Sequence, residues 1–407
     1  MSRPAQQADD ITVPDPAVVL DLIEAFRRSK TMFAAVSLGV FDALLDTELD
    51  LVALADKLSS SQDGLERLLD ACVGLGLLRK ANGRYANVPA ASTYLTSSSP
   101  RRLTGYIGYS NTVMWKLWGH LEDAVREGTH RWPQAYGWDG PIFSHFFKTE
   151  AAKREFLMGM HGYGLISSPH VVSAFDLSRF RHLVDLGGAT GHLACAACQR
   201  YPQLRATVFD LPDAIPLASE IISQTPTADR VGTLGGDFFI DALPDADLFA
   251  VGRILHDWSE QKVKLLLQRI FDALPPGGGL LIAEKLLSDD KTSPRWAQLQ
   301  SLNMLTCTEG KERSVEEYAQ LLHDCGFAHV AAAVQGEERT EAVPAHPQQF
   351  LPDSSFDFMD GPAFMKSRVQ ERFQPGQSLG ESFALENILA VCHPHRGPPC
   401  KLRVGAA

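Results

Sequence analysis

The residue types best suited to chemistry gather around one stretch, Val184-Asp-Leu-Gly-Gly-Ala-Thr-Gly-His-Leu-Ala194. An apolar run, Leu183 to Leu186, enters Gly187, Gly188 and Gly191, and a helical-looking segment from Leu193 to Arg200 follows, which reads as strand, tight turn, helix. Glycines at such a turn let a ligand lie against the backbone, and the first N–H groups of the helix are offered to it. The spacing Gly187-x-x-x-Gly191 is not the G-x-G-x-x-G of dinucleotide binders, so the stretch points to a nucleoside ligand and away from a dehydrogenase. An ordinary strand-to-helix turn is the plain alternative. Asp210 ends the next strand about 20 residues beyond the turn, where a carboxylate can accept hydrogen bonds from both ribose hydroxyls; beside Pro212 it also suits a helix cap. Asp237, after Gly236 at the end of a third strand, can accept from the amino group of adenine, with Phe238 covering the base. His256 and Asp257 follow a fourth strand, and Glu284 ends a fifth. Ligands of open α/β sheets bind beyond the carboxyl ends of the strands, where all of these polar residues fall.

Elements that place these residues must fit a chain of 407 residues, long enough for two domains. A net charge of -11 and a pI near 5.6 disfavour a general affinity for nucleic acid or anionic membrane. No long apolar run spans a bilayer, and Met1 to Asp10 lacks the apolar core of a signal peptide, so a cytoplasmic protein is expected. Seven scattered cysteines fit reduced thiols rather than a disulfide framework. Cys195-Ala-Ala-Cys198 has no second pair and lies on the helix after the glycine turn, where packing on the sheet explains it better than redox or metal chemistry. No metal site is expected.

From Asp15 to Asp46 apolar residues recur at helical spacing, and Gly39 marks a junction between two helices. Leu51 to Lys57 and Gln62 to Leu78 give two more, with serine available as a cap at Ser59 to Ser61. A strand, a turn at Asn82-Gly83 and a return strand follow. Helix, turn, helix, hairpin is a winged-helix pattern, and it raises DNA binding. The candidate recognition helix, however, carries Asp63, Glu66 and Asp70 against Arg67, the wrong sign for a phosphate-facing surface, so dimerisation is the preferred reading. Tyr106 to Arg126 and Phe143 to Phe175 read as helices rich in aromatic and methionine residues, more core than binding site, and Trp132 to Gly140 as a loop. From residue 181 strand and helix alternate, predicting a mainly parallel sheet covered on both faces: Leu183 to Leu186, Ala206 to Phe209, Val231 to Leu234, Leu248 to Leu255 and Leu280 to Ala283.

Six motifs in one order carry a resemblance: Asp185-Leu-Gly-Gly-Ala-Thr-Gly191, Phe209-Asp-Leu-Pro212, Gly236-Asp-Phe-Phe239, Arg253-Ile-Leu-His-Asp-Trp258, Pro276-Gly-Gly-Gly279 and Glu309-Gly-Lys-Glu-Arg313. Together they resemble the S-adenosylmethionine-dependent O-methyltransferases of the caffeic acid and acetylserotonin type, most of all the acetylserotonin branch and its methyltransferase-like relatives. The likeness runs from about Val18 to Val334. It implies a Rossmann-like class I methyltransferase sheet with a mostly helical, winged-helix dimerisation domain at the N-terminus, S-adenosylmethionine as cofactor, a homodimer, and a small aromatic hydroxyl compound as substrate. A phenol has a pKa near 10, so its proton must leave as the methyl arrives, and histidine, near 6.5, suits that task. The resemblance makes His256 the base, bracketed by Glu312 and Glu284; a carboxylate on one imidazole nitrogen fixes the tautomer and supports the cation. It places the cofactor at Gly187, Asp210, Gly236, Asp237, Phe238 and Arg253, and the acceptor at Asp257 and Asn303. Taken alone, His256 suits a helix start as readily as a catalyst, Asp257-x-x-Glu260 has the form of a capping box with Ser259 as a rival cap, and Arg253 suits a charged strand end.

Departures from the family fall on the acceptor side. Cys307 stands where acetylserotonin enzymes carry Gln, and it is a poorer hydrogen-bond partner. Their Tyr and Trp in the helical connector correspond to Phe147 and Gly164, with Tyr163 adjacent, and Ala189 stands where many relatives have a third consecutive glycine. The expected organisation is a winged-helix dimerisation domain at 1–105, a helical connector lining the pocket at 106–180 and a methyltransferase domain at 181–407. Ala328 to Val334 and Leu385 to Val391 read as the final antiparallel hairpin, interrupted by a polar, Pro-rich insertion at 335–384. Two other functions stay open at this level: a noncatalytic, methyltransferase-like dimer, and a winged-helix regulator that binds the cofactor as a ligand.

Overall fold

A computed structural model describes residues 14–140, 149–333 and the strand Asn387–Cys392. The 335–384 insertion and Phe147 lie outside the described residues. The chain divides into two units, Met1–Gly119 with Phe146–Tyr163, and His120–His145 with Gly164–Ala407; the helix Glu150–Ala174 contributes to both.

In the first unit the helix Ala17–Ser37 ends before Gly39, whose φ of 77° starts the short helix Val40–Ala43. The next two helices are Leu51–Lys57 and Gln62–Gly74. Each starts at the polar residue suited to it: Asp50 accepts from the Ala53 N–H and Ser61 from the Gly64 N–H, taking amide donors that the helix itself cannot satisfy. Strands β1 (Leu49–Asp50), β2 (Leu78–Ala81) and β3 (Arg84–Asn87) form an antiparallel sheet in the order β1-β3-β2, turning at Asn82-Gly83 with positive φ at both residues. Val40, Phe41, Leu54, Leu69 and Tyr85 belong to the core on which these helices and strands pack.

The stretch Tyr106 to Arg126 is not one helix. It breaks into Thr104–Tyr109, a π turn at Ser110–Met114, Trp115–Trp118 and Leu121–Glu127, with Gly119 and His120 at the last break. Trp132 to Gly140 is not wholly a loop: Trp132–Tyr136 is helical, with Pro133 in its first turn and Gly137 closing it at φ 62°. Proline opening and glycine closing a helix are the residues that made the segment look irregular.

The second unit is built on a seven-stranded sheet. Its strands are β4 (His182–Leu186), β5 (Arg205–Asp210), β6 (Val231–Gly235), β7 (Leu248–Gly252), β8 (Gly279–Glu284), β11 (Ala328–Ala333) and β12 (Asn387–Cys392), in the order β11-β12-β8-β7-β4-β5-β6. Strands β4 to β8 are parallel, and β12 runs antiparallel between β8 and β11, which is the interrupted hairpin. A pair of two-residue strands, β9 (Leu286–Leu287) and β10 (Arg313–Ser314), lies outside this sheet. Two cores cover the faces, one around Leu183, Ala197, Cys198 and Val208, the other around Val184, Phe249, Leu266 and Ile282. Alternate residues of the same strand enter different cores, as the two-residue period of a strand requires. Cys198 is fully buried in the first of these, so the Cys195/Cys198 pair packs on the sheet. The fourth strand stops at Gly252 rather than Leu255, because Arg253 takes a left-handed φ of 56° and the chain then coils through a 3-10 turn, Leu255–Asp257.

Candidate active site

At the end of β4, Gly187 has φ 66° and Gly191 φ 77°, and both values favour glycine. The tightness is steric as well: a Cβ at Gly187 would run into Ile254 and come within 3.5 Å of Phe238, and one at Gly236 would overlap the Phe209 ring. The turn is held from β5. Asp210 accepts from the Ala189 N–H with Oδ2 and from the Leu211 N–H with Oδ1, each at 2.7 Å. Its carboxylate thus faces the glycine turn across the end of the sheet. Asp237 accepts from the Phe239 N–H at 2.8 Å, while its own N–H donates to Asp241 at 2.8 Å, which fixes the loop after β6. Phe238 stacks edge-on to Phe239, and Phe239 in turn to Trp258.

Arg253 is held in a left-handed conformation that costs a residue with a side chain of order 1 kcal/mol, the kind of local strain found at functional sites. Its guanidinium is 3.5 Å from the Ser167 hydroxyl. The neighbouring Ser168 hydroxyl meets His192 Nδ1 at 2.8 Å, and a side chain at Gly164 would collide with the His192 ring. The glycine noted at 164 in the sequence therefore leaves room that the imidazole of His192 fills.

His256 sits in the 3-10 turn after β7 and is buried. Its Nδ1 lies 2.6 Å from Glu312 Oε1 and 3.4 Å from Glu284 Oε2, and its Nε2 3.7 Å from Asp257 Oδ1. Glu284 and Glu312 both stand on the Nδ1 side. Glu284 also accepts from the Ile254 and Leu255 N–H groups at 2.9 and 2.8 Å, so the carboxylate ending β8 grips the backbone that carries the imidazole. Arg313 donates to the Leu255 carbonyl at 3.1 Å, and a Cβ at Gly310 would overlap the His256 carbonyl. The proposed capping box at Asp257 does not form: the helix Glu260–Ala273 starts at Ser259 without a side-chain cap, which leaves Asp257 to the site.

Burial disfavours charge throughout this cluster. On His256 the carboxylates of Glu284, Glu312 and Asp257 outweigh burial and lift the imidazole to about 10. Burial raises Glu284 to about 7 and Asp257 to about 6, against the opposing pull of the His256 charge. Glu284, Glu312 and His256 also form a close group of three potential metal ligands, but the 2.6 Å Nδ1 to Glu312 hydrogen bond already accounts for two of them. Burial, and behind it the Asp257 carboxylate, raises the Cys307 thiol, which disfavours the thiolate while the side chain stays enclosed. Cys307 donates instead to the Asn303 carbonyl, at 3.1 Å, on the helix Arg295–Cys307.

Three residues without an assigned role in the sequence reading belong to this region. Asp185, buried on β4, is lifted by burial to about 7, and its Oδ2 has no hydrogen-bond partner among the described residues. That oxygen lies 2.7 Å from where a Cβ of residue 188 would stand, under the glycine turn. Asp241 fixes the Asp237 loop, and Trp132 donates its indole N–H to the Cys307 carbonyl at 2.8 Å. Asp185 was visible as a motif residue; Asp241 and Trp132 touch the site only through folding and gave no sequence signal.

Residues 118–328 match the O-methyltransferase domain family and residues 20–97 the O-methyltransferase dimerisation domain family. The chain is 40% identical to acetylserotonin O-methyltransferase of Gallus gallus over 79% of its own length and 95% of that protein. It is 42% identical over 78% of its length to a probable bifunctional dTTP/UTP pyrophosphatase/methyltransferase protein of Homo sapiens, of which it spans about half, 52%. Among solved structures, human N-acetylserotonin methyltransferase in complex with S-adenosylmethionine superposes with a TM-score of 0.75 at 37% identity, covering 80% of this chain and 96% of that one.

Proposed function

This chain belongs to the S-adenosylmethionine-dependent O-methyltransferases of the acetylserotonin type, and we propose that it methylates the hydroxyl of a small aromatic acceptor, an N-acetylserotonin-like hydroxyindole or a phenol, with His256 as general base. The observation that carries this reading is the buried His256 held at Nδ1 by Glu312 at 2.6 Å, with its Nε2 on the side of Asp257.

The residues at the end of the sheet fit the cofactor. The glycine turn admits no side chain at Gly187, the Asp185 oxygen beneath it lacks a partner among the described residues, and Asp210 and Asp237 offer carboxylates suited to ribose hydroxyls and an adenine amino group. Gly187, Asp210, Gly236, Asp237, Phe238 and Arg253 would hold it. When bound, S-adenosylmethionine supplies a methyl group made electrophilic by the sulfonium.

His256 Nε2 would receive the proton that the acceptor hydroxyl gives up in the transfer. Glu312, accepting from Nδ1–H, keeps the tautomer whose Nε2 lone pair is available and stabilises the imidazolium that results. Glu284 fixes the turn that aims the ring. Asp257 and Asn303 orient the acceptor, and Cys307 in place of an amide widens that wall and weakens its polarity. The enzyme works as a homodimer, a reading supported by the dimerisation domain match and by the exposed apolar side chains of the helix Ala17–Ser37.

The test is His256→Ala with a panel of hydroxyindoles and phenols. Transfer should fall by about 10²- to 10⁴-fold, the usual contribution of a general base, with cofactor affinity from calorimetry nearly unchanged. Turnover retained in that variant would sink the assignment of the base, and no turnover by the wild type on any acceptor, with cofactor bound, would favour a noncatalytic dimer.

A further inference from the structure

Arg131 and Trp132 are fully buried, and each hydrogen-bonds the C-terminal end of the helix Arg295–Cys307. The Arg131 N–H donates to the Thr306 carbonyl at 2.9 Å and Trp132 Nε1 to the Cys307 carbonyl at 2.8 Å. The last four carbonyls of a helix have no partner within it. Two of them are taken here by consecutive residues at the start of another helix, Trp132–Tyr136, while the Met304 carbonyl takes the Thr308 N–H at 2.7 Å. The Arg131 guanidinium is tied down by the Glu127 carboxylate at 2.9 Å and the Thr129 carbonyl at 3.0 Å, which fixes the residue whose N–H holds Thr306.

The helix end so held carries Asn303 and Cys307 and runs on through Glu309 and Gly310 to Glu312. Along that run the Glu309 N–H donates to the Asp257 carbonyl at 3.3 Å, and Gly310 lies directly against the His256 carbonyl. A shift at Thr306 and Cys307 therefore reaches the wall opposite Asp257 within a few residues. Gly187, Asp210 and Asp237 stand just after β4, at the end of β5 and in the loop after β6 and share none of these hydrogen bonds.

We propose that Trp132 is a positioning residue for the methyl acceptor: its indole N–H fixes the wall formed by Asn303 and Cys307, and losing that one hydrogen bond weakens acceptor binding while sparing the cofactor site. This rests on the reading above that Asn303 and Cys307 face the acceptor. The Trp132 ring is enclosed and lies 5.5 Å from the Tyr136 ring, so phenylalanine retains most of the packing and removes the donor.

The experiment compares Trp132→Phe with wild type in the full chain by two measurements. One is the rate at which N-ethylmaleimide alkylates Cys307 in protein saturated with S-adenosylmethionine, read by peptide mass spectrometry; it needs no acceptor. The other is acceptor KM and kcat at saturating cofactor, with cofactor Kd from calorimetry. Alkylation should rise by about tenfold and acceptor KM by about tenfold, with kcat within about twofold and cofactor Kd unchanged, a split that general loosening does not produce. Unchanged alkylation overturns the clamp. Faster alkylation with an unchanged acceptor KM overturns the proposal through the reading on which it rests, since the helix end would then be loosened without touching the acceptor. Parallel losses in cofactor and acceptor affinity would reduce Trp132 to a structural residue. If wild type turns over no acceptor, the functional reading fails, and the alkylation rate still decides whether the clamp exists.

Discussion

For His256 to act as the proposed base, its own proton must first leave. In the protein alone, burial works against the imidazolium, but Glu284, Glu312 and Asp257 hold the ring near 10, so at neutral pH it carries a proton and cannot accept another. A sulfonium brought to the ends of β4 and β7 adds a second positive charge to a buried region, and like charge disfavours the ionised imidazole. Cofactor binding is therefore expected to expel the proton that the acceptor hydroxyl later replaces. Calorimetry at pH 8 in buffers of different ionisation enthalpy should read release of about one proton with S-adenosylmethionine and much less with S-adenosylhomocysteine, whose sulfur is neutral. Glu312→Gln removes a carboxylate, lowers the starting value of the imidazole and shrinks the difference; His256→Ala abolishes it. Equal release with the two cofactor forms would rule this account out. At this scale the setting of His256 is not legible in the sequence: nothing local in Leu255-His-Asp257 marks more than a turn residue, and only in the fold do Glu284 and Glu312, distant in sequence, close on its Nδ1 side.

At the scale of elements, the glycine turn contains one residue under strain. Ala189 has φ 48°, in the left-handed region where a Cβ costs of order 1 kcal/mol, and its N–H is held there by Asp210. Ala189→Gly relieves that strain but adds freedom to the unfolded chain, worth about 0.4–1 kcal/mol in the other direction. Where φ is positive the strain is the larger effect, so the variant should be more stable by about 0.5 kcal/mol, seen as a higher urea midpoint with unchanged slope, and should bind cofactor within about twofold of wild type. A lower midpoint would show that Asp210 holds the turn without strain. Elements with strong local rules were legible from sequence: the serine cap at Ser61, the Asn82-Gly83 hairpin, and the strands that alternate between two cores. The helix Trp132–Tyr136 was not, because Pro133 and Gly137 are at once breakers of long helices and the natural start and stop of a one-turn helix. The break at Gly252 was not legible either, since it depends on Arg253 adopting a left-handed φ that its residue type does not favour. The residues proposed for the cofactor were readable as a group because they follow strand ends, where the structure places them; the contact of Arg131 and Trp132 with the helix end was not, because it joins backbone carbonyls to residues about 175 positions away in sequence.

For the whole molecule, the unresolved balance lies in the helix Ala17–Ser37. Val18, Val19, Leu22, Ile23 and Phe26 recur at the spacing of one helical face, and each is more than half exposed in the single chain. Asp21 with Arg28 and Glu24 with Arg27 form ion pairs along the same helix, as a solvent-facing side requires. A contiguous apolar face of this kind marks an association surface, and Leu22, Ile23 and Phe26 fall inside the region matched to the dimerisation domain. The acidic helix Gln62–Gly74, with its Arg67–Asp63 pair, offers no comparable basic surface for a nucleic acid. None of the described helices is long and apolar enough to cross a membrane. The core of the first unit does not use these side chains: it is built from Ala35, Val40, Phe41, Leu54, Leu69 and Tyr85. Replacing Leu22 and Phe26 with lysine should therefore leave that core intact and convert a dimer to a monomer, because two charges directly opposed to their copies in a twofold interface are strongly unfavourable. Light scattering coupled to size exclusion reads the mass, and circular dichroism confirms the fold. Wild type at the mass of one chain would refute the dimer, and a variant still at twice that mass would move the interface away from this helix.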